Sequence, residues 1–234
     1  MKKIILFLFI IPLTIFGQKY QEPDLVNLIN AEYNENSGSN FPEFGLIGWS
    51  KDGLFAYREI LSDGGVGTFA DNIIIYNLKN DEIVESFSFS ISNEYDWIEY
   101  PPGDSPWEYY QRSINRLLSK YEIIQANSNK FYTNKYIDKY EIILKNKKSE
   151  CDGDYWEYEH EYRLLVGSNN NGYKKVGGGL LECGSSSMNF EGYFKSPFEN
   201  RIVIVLSSLR LGYEGEEDWN IHFSGCSLNP MTFS

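Results

Sequence analysis

The chain has 234 residues, of which 42% are hydrophobic and 16% aromatic, and its formal net charge is −12. The aromatic content is typical of a folded chain rather than a disordered one, and the negative charge argues against nucleic acid or an anionic membrane surface as a partner. The length suits one large all-β domain with a substantial core.

The first seventeen residues have the pattern of a secretory signal peptide. Lys2 and Lys3 precede an apolar run over residues 4–16, and Gly17 stands before a polar sequence. The run is too short and wrongly flanked for a membrane-spanning helix, and no cysteine follows it to carry lipid. We therefore predict residues 1–17 to be a cleaved signal peptide. The mature protein is expected to be secreted or periplasmic, with no membrane span.

Residues 18–42 are polar and contain Pro23 and Pro42, which predicts a loosely attached leader segment. From there a single mainly β domain is expected over residues 43–234. Short apolar runs alternate with turn residues and predict strands at 44–49, 54–61, 72–78 and 83–91. This spacing is typical of an antiparallel meander.

A helix is predicted at about residues 106–125. Ser105, Pro106 and Glu108 form a capping box with proline at the first helical position, and an apolar stripe at helical spacing follows. Four aromatic residues at and before this helix are interleaved with acidic residues: Tyr95, Trp97, Tyr100 and Trp107. They are candidates for stacking on a sugar or anchoring a protein partner, or else they fill the junction between sheet and helix.

The remaining strands are predicted at 140–144, from 156 onwards, at 173–182, at 201–211 and around 219–223. In the strand that begins at residue 156, aromatic residues alternate with charged ones. His160 lies on the aromatic face, where a packing role is expected. Residues 201–211 are apolar on both faces, which predicts a central, buried strand.

Three cysteines occur in a chain expected to be exported, so one disulfide can form. We predict the pair Cys151 and Cys183, at the open end of a predicted hairpin, and a buried thiol at Cys226. Regular pairing would place the two partners out of register, so irregular strand ends or the glycines at 177–179 are needed to join them.

Asp152 and Asp154 are candidate ligands for calcium, although the spacing of the following residues does not complete a calcium loop. The alternative is a solvated acidic turn. Neither histidine has metal-ligand spacing or a motif nucleophile beside it, so no catalytic residues are assigned.

One sequence motif resembles a known repeat. Residues 48–57, Gly-Trp-Ser-Lys-Asp-Gly-Leu-Phe-Ala-Tyr, resemble the PD40 repeats of TolB-like and WD40-like β-propellers, and residues 196–205 resemble a degenerate second copy. The arrangement is also similar to small uncharacterised secreted bacterial proteins that carry such motifs. The resemblance implies a propeller-blade-like meander or a two-sheet architecture and brings no active site with it.

These observations lead to an expected function. We expect an exported, non-enzymatic β protein that recognises a protein or a glycan at the cell envelope, without a required cofactor. A carbohydrate-active or cation-dependent hydrolase that uses the acidic clusters is the alternative. A third interpretation is a component of an envelope assembly with a basic partner.

Overall fold

The computed structural model of the chain describes residues 19–26, 42–62, 69–90, 92–93, 96–97, 105–126, 130–132, 139–148, 158–168, 172–181, 183–211 and 217–229. These residues are mainly β, as predicted, with antiparallel sheets and two short helices. In chain order the elements are β1 Glu43–Trp49, β2 Leu54–Ser62, β3 Phe69–Asn77, β4 Glu82–Ser90, β5 Ser92–Asn93, β6 Asp96–Trp97, α1 Pro106–Tyr109, α2 Gln111–Lys120, β7 Ile124–Gln125, β8 Lys139–Lys148, β9 Tyr158–Ser168, β10 Gly172–Leu180, β11 Ser185–Lys195, β12 Arg201–Leu211 and β13 Glu217–Ser227.

The strands form three sheets of three or more strands. Strands that follow each other in the sequence are neighbours in each sheet, and the exception is β7, which lies beside β1. Sheet A has the order β4-β3-β2-β1-β7, sheet B has β11-β12-β13, and sheet C has β10-β9-β8. The short strands β5 and β6 pair only with each other. The predicted antiparallel meander is therefore confirmed, and it is repeated in three sheets.

Sheet B lies between the other two sheets. On β12, Val203 and Val205 pack against sheet A, while Ile202, Ile204 and Leu206 pack against sheet C, and all five are fully buried. Side chains alternate between the faces of a strand, so a strand with apolar side chains on both faces needs to be covered on both sides. The predicted central, buried strand at 201–211 is confirmed.

The helices cover the outer face of sheet A. Ser105 caps α1 as predicted: its hydroxyl accepts a hydrogen bond from the Glu108 backbone N–H, and the Glu108 carboxylate accepts one from the Ser105 N–H. The predicted helix at 106–125 is nevertheless too long. The helix is interrupted at Tyr110, which separates α1 from α2, and α2 ends at Lys120. Glu122 adopts a positive φ of 51°, which allows the chain to turn into β7. No helix in the described part of the chain could span a membrane.

The leader segment is attached more firmly than expected. Tyr20 is 2% exposed, and its hydroxyl donates a hydrogen bond of 2.6 Å to the carbonyl of Ile123. Its own carbonyl accepts hydrogen bonds from the side chains of Trp107 and Gln111. The prediction of a loosely attached leader is wrong for residues 19–26, because a buried tyrosine among polar residues supplies both apolar contact and hydrogen bonds.

The buried Arg58 of sheet A forms two ion pairs, and one of them reaches the leader segment. Arg58 is 4% exposed and Asp71 is 1% exposed, and two hydrogen bonds of 2.8 and 2.5 Å link their side chains across β2 and β3. Arg58 also pairs with Glu22 of the leader, and its guanidinium lies 5.7 Å from the centre of the Trp107 ring. Removing one partner of such a pair leaves a buried charge without compensation.

We expect Arg58→Met to destabilise the protein by about 3–5 kcal/mol, because Asp71 would remain buried without its cation. Lys120→Met is the matched control, since Lys120 pairs with Glu85 at the protein surface. Urea unfolding of both variants measures the difference. A loss for Arg58→Met no larger than that for Lys120→Met would contradict the assignment.

Sheets A and B meet very closely at the turn between β3 and β4. The Leu78 carbonyl accepts a hydrogen bond of 3.0 Å from Arg201, and the Asp81 carboxylate accepts one of 2.7 Å from the backbone N–H of Gly225 on β13. A Cβ atom at Gly225 would lie 2.0 Å from the Leu78 carbonyl oxygen. Only glycine fits at this position without moving the backbone.

Gly225→Ala is therefore expected to cost about 1–3 kcal/mol, which lowers the melting temperature by several degrees for a domain of this size. Gly179→Ala provides the control, because a Cβ there would meet a side-chain atom of Tyr162 at 3.2 Å, which requires a much smaller displacement than the 2.0 Å approach to backbone at Gly225. Thermal unfolding monitored by circular dichroism tests this. Equal melting temperatures for the two variants would show that the sheets do not depend on this contact.

The cysteines are partly described. Cys226 is a buried thiol, 1% exposed, as predicted. Cys151 lies outside the described residues, so its disulfide with Cys183 stays a prediction.

Candidate functional site

Two serine turns of similar construction lie at the seam between sheets A and B. The Ser50 hydroxyl accepts hydrogen bonds from the backbone N–H groups of Asp52 and Leu54, at 3.2 and 3.0 Å. Ser196 is buried in the same way, and its hydroxyl accepts two bonds of 3.2 Å from Phe198 and Glu199. Each serine directly follows the first strand of a meander, β1 in sheet A and β11 in sheet B. The turns fall within residues 48–57 and 196–205, whose resemblance to a PD40 repeat stays a prediction.

A crossing segment, described at residues 124–126 and 130–132, contacts sheet A at its first end and sheet B at its second. Ile124 and Gln125 pair with Trp49 and Gly48 of β1 as strand β7. A few residues later, Tyr132 pairs with Tyr193 of β11 through two backbone hydrogen bonds of 2.9 Å. The backbone of this crossing segment is thus held at both ends by a rigid sheet.

Two glycines allow the crossing segment to approach the sheets. A Cβ atom at Gly48 would lie 2.2 Å from the carbonyl oxygen of Ile124, and one at Gly192 would lie 2.5 Å from the ring of Phe131. The Phe131 ring instead packs against Phe194, with 5.0 Å between ring centres. The described residues at both ends of the crossing segment thus lie close against the sheets, and an open cleft lies beside them.

This seam cleft has a volume of about 560 Å³. Trp49 and Phe194 form its floor, each 1% exposed, and the Trp49 ring packs against Phe55 with 5.1 Å between ring centres. Phe198 stands at its rim and is 40% exposed. The described lining residues are Leu46, Trp49, Ile124, Gln125, Ala126, Lys130, Tyr132, Phe194, Lys195, Ser196, Pro197 and Phe198.

The charged groups that the structure describes in the cleft lining are both lysines. Lys130 is exposed, and its ammonium lies 5.4 Å from the centre of the Tyr132 ring. Lys195 is half-buried at the end of β11. The described lining contains no aspartate, glutamate, histidine or cysteine. The described lining of the seam cleft therefore combines aromatic and aliphatic side chains with two lysines, a glutamine and a serine.

Of the four aromatic residues predicted as a binding site, the structure describes the side chain of Trp107. It is 1% exposed under Arg58, so packing between helix and sheet accounts for it. Trp97 lies in the short strand β6, described by its backbone only, and Tyr95 and Tyr100 lie outside the described residues. A binding role for these three residues stays a prediction.

The predicted metal and acidic sites receive no support from the structure. Asp152 and Asp154 lie outside the described residues, and their calcium role stays a prediction. Among the residues that are described, no group of three or more histidine, cysteine or acidic side chains could hold a metal ion. His222 contacts Ser208 at 2.8 Å on sheet B, away from the seam cleft.

The seam cleft is not predicted from the sequence because its lining comes from distant parts of the chain. The available signal is the pair of motif copies, since Trp49 belongs to the first and residues 196–198 begin the second. Residues 124–132 carry no motif, and the predicted helix at 106–125 covers their beginning.

A separate titratable group lies on the face of sheet A that packs against sheet B. Glu59 is half-buried on β2 opposite Phe44 of β1. Burial raises the pKa of its carboxyl to about 7, and a hydrogen bond with Asn72 opposes this shift. The folded protein therefore keeps a proton on Glu59 at pH values where the unfolded chain, with a pKa of 4.5, has lost it.

From this shift we expect a contribution to stability that is complete below pH 4.5 and disappears as the pH rises through 7. Glu59→Gln keeps the shape and cannot titrate, so its free energy of unfolding should fall less than that of the wild type between these pH values. Urea unfolding at closely spaced pH values measures both curves. Parallel curves would show that folding does not raise the pKa of Glu59.

Comparison of the chain with protein-family models, with curated proteins and with solved structures found no match.

Proposed function

We propose that this is an exported, non-enzymatic recognition protein that binds its ligand in the seam cleft. The observation that carries the proposal is the cleft itself. Its volume of about 560 Å³ lies in the range of small-molecule sites, and its lining combines aromatic and aliphatic side chains with polar ones. Such a lining is typical of a binding site.

The rigidity of the cleft supports binding. Its floor residues come from β1 and β11, and the crossing segment is hydrogen-bonded to both strands. Side chains held by sheets lose little conformational freedom when a ligand arrives, which favours affinity. The cleft is thus largely formed before the ligand binds.

The chemistry of the described lining favours binding over hydrolysis. The carbohydrate-active or cation-dependent hydrolase is expected to use carboxylates, and the described lining offers no carboxylate or imidazole; its titratable side chains are Tyr132 and the two lysines. The hydroxyl of Ser196 already accepts two backbone hydrogen bonds, and no described histidine lies in the lining to activate it. These features support recognition over that hydrolase.

The exported location rests on the sequence of residues 1–17, which lie outside the described residues. It supports a role at the cell envelope, where the partner is a small molecule, a glycan or a protein. N-terminal sequencing of the protein recovered after export would identify the mature end.

We expect a thermal-shift panel on the exported protein to reveal a stabilising ligand, since saturation at a hundred times the dissociation constant adds about 2.7 kcal/mol. The panel contains amphipathic acids, their neutral analogues, neutral glycans and short peptides. Phe198→Ala should reduce the shift because it removes an exposed wall of the cleft. Tyr140→Ala is the control, since Tyr140 is an exposed aromatic residue of sheet C, 50% exposed against 40% for Phe198.

A shift that Phe198→Ala leaves unchanged would place the site elsewhere and contradict the seam cleft. Turnover of a glycan that disappears in Asp152→Asn or Asp154→Asn would contradict the non-enzymatic function and favour the hydrolase.

A further inference from the structure

We propose that the outer face of sheet C, which is turned away from sheet B, binds an acidic segment of a partner protein. This inference goes beyond the proposed function, because the described lining of the seam cleft includes no residue of sheet C. Three observations on the described residues carry it: an excess of cations on this face, cationic groups that have no partner within the chain, and aliphatic side chains that lie among them.

The packing of sheet C on sheet B shows which side chains form the outer face. Leu164 and Val166 of β9 pack against sheet B, so the odd-numbered residues of that strand lie on the other side. The described outer side chains of the three strands are Lys139, Glu141, Ile143, Lys145, Glu161, Arg163, Leu165, Lys175 and Leu180. The cations outnumber the carboxylates on this face, although the chain as a whole has a net charge of −12.

Three of the cations meet around Glu161. Arg163 donates hydrogen bonds of 3.1 and 3.3 Å to the Glu161 carboxylate, and Lys145 stands directly opposite Glu161 on β8. From the other side, the Lys175 ammonium lies 3.6 Å from the position that a Cβ atom would take at Gly178, which is paired with Arg163. Neighbouring strands are about 4.8 Å apart, so one acidic segment can reach all three cations.

The positive charge of this cluster is only partly balanced. The bonded guanidinium of Arg163 holds the pKa of the Glu161 carboxyl below its ordinary value, and the charges of Lys145 and Lys175 lower it further. One carboxylate thus faces three cations. The two lysines make no hydrogen bond or ion pair with the residues that the structure describes, and Arg163 bonds Glu161 through Nε and Nη2. Donors therefore remain for the carboxylates of a partner.

Aliphatic side chains lie among the cations. Ile143 and Leu165 are half-buried on the outer face, and Leu180 is 52% exposed. None of the three belongs to the hydrophobic clusters that the described residues form. A protein partner can cover these side chains while its carboxylates pair with the cations, and this combination of apolar and charged contacts is typical of protein interfaces.

Other anions suit this face less well. A free phosphate would leave the aliphatic side chains uncovered. Nucleic acid and an anionic membrane extend beyond the face, where they meet a chain whose net charge is strongly negative. Because salt limits the reach of a charge to roughly 8 Å under physiological conditions, a short acidic segment is influenced mainly by the nearby cations.

The test uses a synthetic peptide that alternates glutamate with valine and carries a neutral fluorescent dye. A peptide with glutamine in place of glutamate is the uncharged control. Fluorescence anisotropy measures the binding of both to the exported protein. We expect the glutamate peptide to bind about tenfold more tightly, because each of three exposed ion pairs contributes about two- to threefold. Equal binding of the two peptides would overturn the proposal.

Variants locate the contact. Lys145→Gln and Lys175→Gln should each weaken binding of the glutamate peptide by about two- to threefold, and Glu161→Gln should strengthen it by a similar factor because it removes a competing carboxylate. Lys51→Gln is the matched control, since Lys51 is an exposed lysine in the turn after β1. A loss as large for Lys51→Gln as for the two sheet C lysines would show unspecific attraction and overturn the inference.

Further arms of the test separate the partner class and the two proposals. Vesicles of phosphatidylcholine with and without phosphatidylglycerol represent the membrane alternative. Binding to the anionic vesicles that requires Lys145, without binding of the glutamate peptide, would overturn the protein partner. Phe198→Ala should leave peptide binding unchanged, and a loss in this variant would place the peptide in the seam cleft. If the peptide does not bind while Phe198→Ala reduces the thermal shift of another ligand, only this inference fails.

Discussion

The double burial of β12 is the constraint on which the arrangement of the molecule depends. Its five central side chains, 202 to 206, are fully buried and alternate between two opposite faces. A buried aliphatic side chain contributes about 1.5–3 kcal/mol, so neither face can be left to water without losing a large part of the net stability. Sheet B must therefore be covered by sheet A on one side and by sheet C on the other. The close contact between Gly225 and Leu78 follows from this stacking.

The stacking also explains why a cleft forms where it does. β11 is an edge strand of sheet B, and beyond β1 sheet A has only the two-residue strand β7; β1 and β11 are each followed by a buried serine turn. An exposed edge has unpaired backbone groups, and the crossing segment supplies partners to both. It bonds β1 through Ile124 and Gln125 and β11 through Tyr132, and it cannot fill the space between the two turns. The cleft is the part of the seam that remains open.

The sequence predicted the elements whose pattern is local and missed those that depend on tertiary contacts. β12 was predicted within its true bounds because residues 202–206 are apolar on both faces, and the start of α1 was predicted because capping chemistry is confined to four residues. β11 was missed, since three serines begin it and a register shift between Phe190 and Gly192 interrupts the alternation of its side chains. The helix was extended to about 125 because Ile124 continues its periodicity, and only pairing with β1 makes that residue a strand. The lining of the cleft could not be predicted, as it joins residues from three distant segments.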